Sequence, residues 1–319
     1  MSQPMLPDEL LVKILTCCSP NTVASTRIVS KRLNRLVNYN YLWRPAVDEF
    51  SVELRHYEDR SVPLGRIQFK KTQKIKKRLV VTVKKNNRTN AIVEECEEGP
   101  SKMDTSKIGE AMRSIKLSER LSFDGVVAES TFYKMLTSKW NDMSEVRMLS
   151  FMMAKLRLSE EQMVQILSKT CVNSLTLDFC HHETDTLTDK VVAAMPKLQS
   201  LRVQVRAPLM FYSLTDKTLK AWISNPPSTV NLGRITTGFT LQGISEVIQE
   251  LKTSTIDWDL GTILQSNETA IEMLKLSRIS GVQIKISDDF RSKRYEVCGY
   301  PSPNNVHPMK IVFNLAESS

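Results

Sequence analysis

A three-residue pattern that returns at near-constant spacing constrains this chain more than any other feature. An apolar, a polar and an apolar residue stand together at Leu121-Ser122-Phe123, Leu149-Ser150-Phe151, Leu175-Thr176-Leu177, Leu201-Arg202-Val203, Val230-Asn231-Leu232, Ile256-Asp257-Trp258 and Val282-Gln283-Ile284. The steps between them are 28, 26, 26, 29, 26 and 26 residues. Such alternation predicts strands with one buried face. Helix starts lie between the strands. Ser159 precedes Glu160-Glu161-Gln162, Thr188 precedes Asp189, and Thr215 precedes Asp216, each ahead of an apolar helical stripe. A Ser or Thr at that place accepts a backbone N–H left free by the first helical turn. One strand and one helix cannot bury their own faces, so the units are expected to stack into an α/β strand-helix solenoid over residues 106–319, closed by a C-terminal cap.

The strand phase also predicts a surface. If the flanking apolar residues point inward, the middle ones point out along one sheet face: Ser122, Ser150, Thr176, Arg202, Asn231, Asp257 and Gln283. The next outward set is Asp124, Met152, Asp178, Gln204, Gly233, Asp259 and Lys285. Stacked repeats often bind partners through such a face. Thr176, Arg202, Gln204, Asn231, Asp257, Asp259 and Gln283 are therefore the candidate residues for holding a protein substrate.

Composition excludes several classes of chemistry. There are 10 glycines in 319 residues, no G-x-G and no phosphate loop, so nucleotide cofactors are not expected. Cys171, Cys180, His181, His182 and Glu183 match no metal-ligand spacing, and Cys180 reads as a small buried residue in a turn. No nucleophile elbow occurs. The expectation is a protein without catalytic residues, metal or cofactor. No apolar run approaches the ~20 residues of a membrane span, and the N-terminus lacks a signal core. With six cysteines read as reduced thiols, a cytoplasmic and/or nuclear location is expected and a membrane partner is not.

The net charge of +9 is concentrated. Residues 66–88 hold ten Lys/Arg and no acid, and Glu94, Glu95, Glu97 and Glu98 follow. Residues 67–69, 79–83 and 91–93 read as short strands, making 51–105 a linking strand region. Lysines on strand edges keep sheets from pairing edge to edge, so a solvated hairpin is the leading reading. A nuclear-import signal and a nucleic-acid patch are the alternatives. Only Phe69 interleaves the basic run, which argues against base stacking.

Residues 6–43 read as three short helices. Leu6-Pro7-Asp8-Glu9 opens the first, and Leu10, Leu11, Ile14, Leu15 and Cys18 give it an apolar stripe. Asn21 can cap the second helix. Val29, Leu33, Leu36 and Val37 continue at helical spacing, and Leu42-Trp43 closes the unit. A piece this small has more apolar surface than it can bury, so it is expected to dock on a partner or on the rest of the chain.

The string Leu6-Pro7-x-Glu9-Leu10-x-x-x-Ile14-Leu15, then Val29-Ser30-Lys31-Arg32-Leu33, then Leu42-Trp43-Arg44 resembles an F-box. The resemblance covers about 40 residues, roughly an eighth of the chain, within an expected domain of residues 1–50. It implies binding to a Skp-family adaptor and, through it, to cullin and RING subunits of a ubiquitin ligase. It also implies that Leu6, Pro7, Leu10, Ile14, Leu15, Val29, Leu33, Leu36, Leu42 and Trp43 carry the adaptor contact and the helical core between them. Leu175-x-Leu177-x-x-Cys180 with Leu187-Thr188-Asp189 resembles a degenerate leucine-rich repeat. Residues 67–83 and Ala221-Trp222-Ile223 are similar to nematode F-box-associated domains. Both resemblances imply a domain that recruits a protein for ubiquitination. The alternatives from the residues alone are a repeat scaffold with no ubiquitin-ligase link and a basic nucleic-acid-binding protein.

Overall fold

The computed structural model describes residues 6–40, 42, 44–58, 75–86, 88–96, 105–138, 143–263, 273, 275–289, 292–299 and 309–316. Three helices come first: α1 (Asp8–Thr16), α2 (Pro20–Val29) and α3 (Lys31–Tyr39). Ser19, not Asn21, caps α2 by accepting the Thr22 N–H at 3.2 Å. Pro20 takes the first helical position, where its missing N–H costs nothing and its fixed φ suits the helix, so the cap falls one residue earlier than Asn21. Ser30 caps α3 in the same way through the Leu33 N–H. Leu15, Val23 and Val37 form a small core of their own, separate from the main one.

The remaining elements are β1 (Ala46–Glu58), β2 (Ile75–Lys85), β3 (Arg88–Cys96), α4 (Thr105–Arg113), β4 (Lys116–Asp124), β5 (Val127–Ala128), α5 (Ser130–Leu136), β6 (Met148–Met152), β7 (Lys155–Leu156), α6 (Glu160–Ser168), β8 (Ser174–Asp178) and β9 (His181–His182). They continue with α7 (Asp189–Ala193), β10 (Ser200–Gln204), β11 (Leu209–Thr215), α8 (Asp216–Ser224), β12 (Thr229–Asn231), β13 (Ile235–Gly238), α9 (Leu241–Leu251), β14 (Asp257–Ile263), β15 (Val282–Asp289), β16 (Ser292–Gly299) and β17 (Lys310–Ala316). The architecture is mixed α/β: N-terminal helices, then a fourteen-stranded sheet. Strands β1, β4, β6, β8, β10, β12, β14 and β17 lie parallel, each beside the next. Helices connect β4 through β14, as parallel neighbours require.

The periodic apolar residues line up across this sheet. Leu121, Leu149, Leu175, Leu201, Val230, Trp258 and Ile311 stand directly opposite one another, and Phe50 of β1 extends the row. All are buried. In the next inward row Phe123 stacks on Phe151 at 5.5 Å, with the Phe132 ring of α5 edge-on to Phe123 at 4.7 Å.

Two alignments differ from the sequence expectation. Val230 pairs with Trp258, so Asn231 faces Asp259, and Asp257 lies one outward row away beside Thr229. The indole sets this register: it is fully buried, donates to the Pro227 carbonyl at 2.7 Å and packs 5.3 Å from Trp222. Second, the strand that follows β14 is Lys310-Ile311-Val312, not Val282-Gln283-Ile284. Two residues separate β15 from β16, and so short a connection joins only antiparallel strands. β15 therefore forms a hairpin with β16, which returns along β17 and leaves Gln283 on the edge strand opposite Cys298.

A hydrogen-bond chain ties successive helix starts together. Glu160 accepts the Thr188 hydroxyl at 2.6 Å, and Lys190 at the same distance. Asp189 accepts the Thr215 N–H and hydroxyl and the Thr218 hydroxyl. Asp216 accepts the Thr240 N–H and hydroxyl. The first-turn acid of each helix thus binds the capping threonine of the next. This explains why Thr-Asp returns at Thr188-Asp189 and Thr215-Asp216.

At the other end, β2 and β3 extend the sheet beyond β1 in antiparallel fashion. The register sets Arg78 opposite Glu95 and Leu79 opposite Glu94, while Lys84 bonds Glu49 at 3.0 Å. The strand expected at 67–69 lies outside the described residues. Among the described residues no helix is long and apolar enough to cross a membrane.

Candidate protein-interaction surfaces

The apolar stripe of α1 divides into two faces. Leu15 points into the small core with Cys18 packed beside it. Leu10 and Ile14, four residues apart and so on one side of the helix, are 45% and 51% exposed, and Leu6, just before the helix, is 50% exposed. Arg32 positions this face. Its guanidinium donates to Asp8 at 2.6 and 2.8 Å and to the Leu6 carbonyl at 2.6 Å, fixing the start of α1 against the start of α3. Pro7 offers no side-chain cap, so the arginine contact is what anchors this end.

The ten expected adaptor residues therefore split. Leu6, Pro7, Leu10, Ile14 and Val29 are exposed, and Leu33 and Leu42 are half-buried against the small core. Leu15 and Leu36 are interior and do not present their side chains, Leu15 because it packs in the small core. Trp43 lies outside the described residues. Two exposed residues stand outside the expected adaptor set: Ile28, 88% exposed and read in the sequence as part of the apolar face of the second helix, and Tyr39. The signal for Ile28 was its position five residues after buried Val23, which turns it about 140° around the helix.

The outward sheet face brings most of the candidate substrate residues together. Thr176, Arg202, Asn231 and Asp259 form one row, with Ser122, Ser150 and Ser51 continuing it. Gln204 lies in the adjacent row, opposite Asp178. Arg202 is exposed and donates to Asp178 at 3.2 Å. Burial raises the Asp259 carboxyl pKa, against the opposing Gly261 N–H bond at 3.0 Å and Arg294 at 3.7 Å. Asp257 sits in a different row beside Thr229, and Gln283 is on the antiparallel edge, far along the sheet order from Thr176. The set is a dispersed polar face rather than a converging pocket.

The titratable residues singled out around position 180 are structural. Cys180 is buried, and its Sγ lies 3.4 Å from the Phe151 carbonyl. Burial pushes its thiol up to about 11. His182 Nδ1 is 2.5 Å from the Thr186 hydroxyl, its ring lies edge-on to Phe211, and burial lowers its pKa to about 4. Glu183 is held down at about 2 by its bonds to Arg157 and Lys155. Among the described residues no group of three His, Cys, Asp or Glu is placed to hold a metal ion.

In comparison with known families, residues 4–47 fit the model of the F-box-like family. No curated protein matches the chain.

Proposed function

We propose that this chain, which carries an F-box-like domain at residues 4–47, is a substrate-recruiting subunit of a Skp–cullin–F-box ubiquitin ligase. At the general level an F-box-like domain implies that role, and proteins that carry one are typically non-catalytic adaptors. In this reading residues 1–50 dock on a Skp-family adaptor. The strands of 51–105 and the leucine-rich-repeat-like solenoid of 106–319 hold a protein substrate in the cytoplasm or nucleus. The mechanism is proximity: a bound target is raised in effective concentration near the ubiquitin-transfer machinery, whose chemistry belongs to other subunits.

The observation that carries the reading is the exposure of Leu6, Leu10 and Ile14, with Val29 and Ile28 of α2 exposed as well. An apolar helix face of this kind is what a groove-shaped partner recognises. The test is size-exclusion chromatography of the chain with a purified Skp-family adaptor, beside a Leu10→Ala/Ile14→Ala variant. These two residues lie outside the small core, so the variant keeps its circular dichroism spectrum. Loss of each anchor costs the complex about 2 kcal/mol, and co-elution is lost. A folded parent that does not co-elute reduces residues 6–42 to a structural cap.

A further inference from the structure

The exposed apolar residues at the start of the chain are held in two different ways. Leu10 and Ile14 ride on α1, whose inner side is fixed by Leu15 in the small core. Leu6 does not ride on the helix. The helical hydrogen bonding begins at the Pro7 carbonyl, which accepts the Leu11 N–H at 3.1 Å, and Leu6 stands one residue ahead of it. Pro7 supplies no side-chain cap to close the turn. With half of its surface exposed, the Leu6 side chain is not held by burial either. Backbone at a helix start of this kind opens locally unless another element ties it down.

The tie is Arg32, which reaches across from the first turn of α3. Its Nη2 donates to the Leu6 carbonyl at 2.6 Å and to Asp8 Oδ1 at 2.6 Å, and its Nε donates to the same Asp8 oxygen at 2.8 Å. The contacts therefore straddle Pro7. One side chain can make them together because the N–H groups of a guanidinium point in fixed directions in one plane. Arg32 is itself placed by α3, which Ser30 caps and Val37 anchors in the small core. The side chains of the Arg32–Asp8 pair are 30% and 44% exposed, and a pair so open to water adds little to stability. What it contributes is geometry at Leu6. Arg32 is absent from the ten residues expected to carry the adaptor contact, although it lies within the string Val29-Ser30-Lys31-Arg32-Leu33.

We infer that Arg32 is a positioning residue for adaptor docking: its guanidinium sets Leu6 ahead of α1, so that Leu6, Leu10 and Ile14 meet a Skp-family adaptor already in place. Arg32 needs no contact with the adaptor for this, because it acts through Leu6. Without it, Leu6 has to be ordered on binding, and that lost freedom is subtracted from the affinity. The inference rests on the substrate-recruiting reading for the identity of the partner, not for the placement of Leu6.

The test is a double-mutant cycle on the full chain, with affinity for a purified Skp-family adaptor measured by isothermal titration calorimetry. Arg32→Met removes the donors and keeps an apolar stem. It is expected to weaken binding roughly tenfold, about as much as Leu6→Ala, at a nearly unchanged melting temperature. Combined with Leu6→Ala it adds no further loss, because both substitutions remove the same anchor. Combined with Ile14→Ala the two losses multiply. Arg32→Lys, which keeps the charge but not the planar fork, recovers part of the affinity. A second measurement needs no adaptor: methyl relaxation in leucine-labelled protein shows Leu6 ordered in the parent and mobile in Arg32→Met. The inference is overturned by an Arg32→Met variant that binds as tightly as the parent, or by a loss that multiplies with Leu6→Ala as it does with Ile14→Ala. Leu6 methyls equally mobile in parent and variant overturn it too. The two readings fail separately. A parent that binds no adaptor, with Leu6 loosened in Arg32→Met, removes only the ubiquitin-ligase link and keeps the placement of Leu6; a parent that binds, with an unaffected Arg32→Met, removes only the role of Arg32.

Discussion

At the scale of single residues, burial decides chemistry. His182 is held neutral by desolvation, with its pKa lowered to about 4 from an ordinary value of 6.5. The folded state therefore binds fewer protons than the unfolded one between those values. Stability is unaffected above pH 6.5 and falls as the pH drops toward 4. The carboxylates whose pKa values are lowered, Glu160, Glu161 and Glu183, lose their contribution only below their ordinary 4.5. Urea unfolding at pH 7 and pH 5 is expected to show a drop in midpoint for the parent that is smaller in His182→Asn. Cys180 gives a second expectation. Its buried thiol stays unmodified by iodoacetamide in the native protein while exposed Cys17 and Cys171 react, as peptide mass spectrometry would show. The sequence made Cys180 legible as a small buried residue because a strand-end cysteine follows an apolar alternation. It gave no sign that Met153 and Phe179 adopt a positive φ, because the residue type usual for that backbone is absent from both positions.

At the scale of elements, the acid-to-threonine chain carries the strongest predictions. Asp189 accepts three hydrogen bonds from the next unit, so Asp189→Ala is expected to cost about 2 kcal/mol in urea unfolding. Gly243 inverts a familiar rule. Alanine in place of a glycine inside a helix ordinarily stabilises, by roughly 0.5–1 kcal/mol at mid-helix, and Gly243 lies in the first turn of α9. Here the added Cβ would stand 2.5 Å from the Asp216 carboxylate, which is held in place by Thr240. Gly243→Ala is therefore expected to lower the melting temperature, and a rise would show that Asp216 moves aside freely. Helix starts were legible because capping is local: Ser159, Thr188 and Thr215 sit where their side chains can reach the first turn. The β14 register was not, because Ile256 and Trp258 both satisfy the alternation, and only the packing of the indole on Trp222 chooses between them. The two faces of α1 were hidden for a related reason, since Leu10 and Leu11 differ in environment but not in hydropathy.

At the scale of the whole molecule, the N-terminal helices keep their own core. A chain beginning at residue 44 is expected to melt at the parent's temperature and to lose adaptor binding. In β2, Arg78 stands in register opposite Glu95 of β3, and Lys84 is paired with Glu49 of β1. Binding to random-sequence DNA is accordingly expected to be weak at physiological salt in a filter-binding assay, and tight binding would revive the nucleic-acid reading. The period of the parallel strands was visible in sequence because each contributes an interchangeable leucine to one row. The β2–β3 hairpin was visible too, from the local alternation at residues 79–83 and 91–93, whereas the pairing of β15, β16 and β17 was not, since the period breaks after residue 263 and their partners are set by chain reversal rather than by repetition. Those terminal strands have a consequence for the life of the protein. A chain cleaved after residue 263 keeps its neighbouring helices and parallel strands but loses β15, β16 and β17, and so exposes the hydrogen-bonding margin of β14. Its fate is self-association through that open margin rather than simple unfolding, and the cell's proteolytic surveillance would meet it as an oligomer.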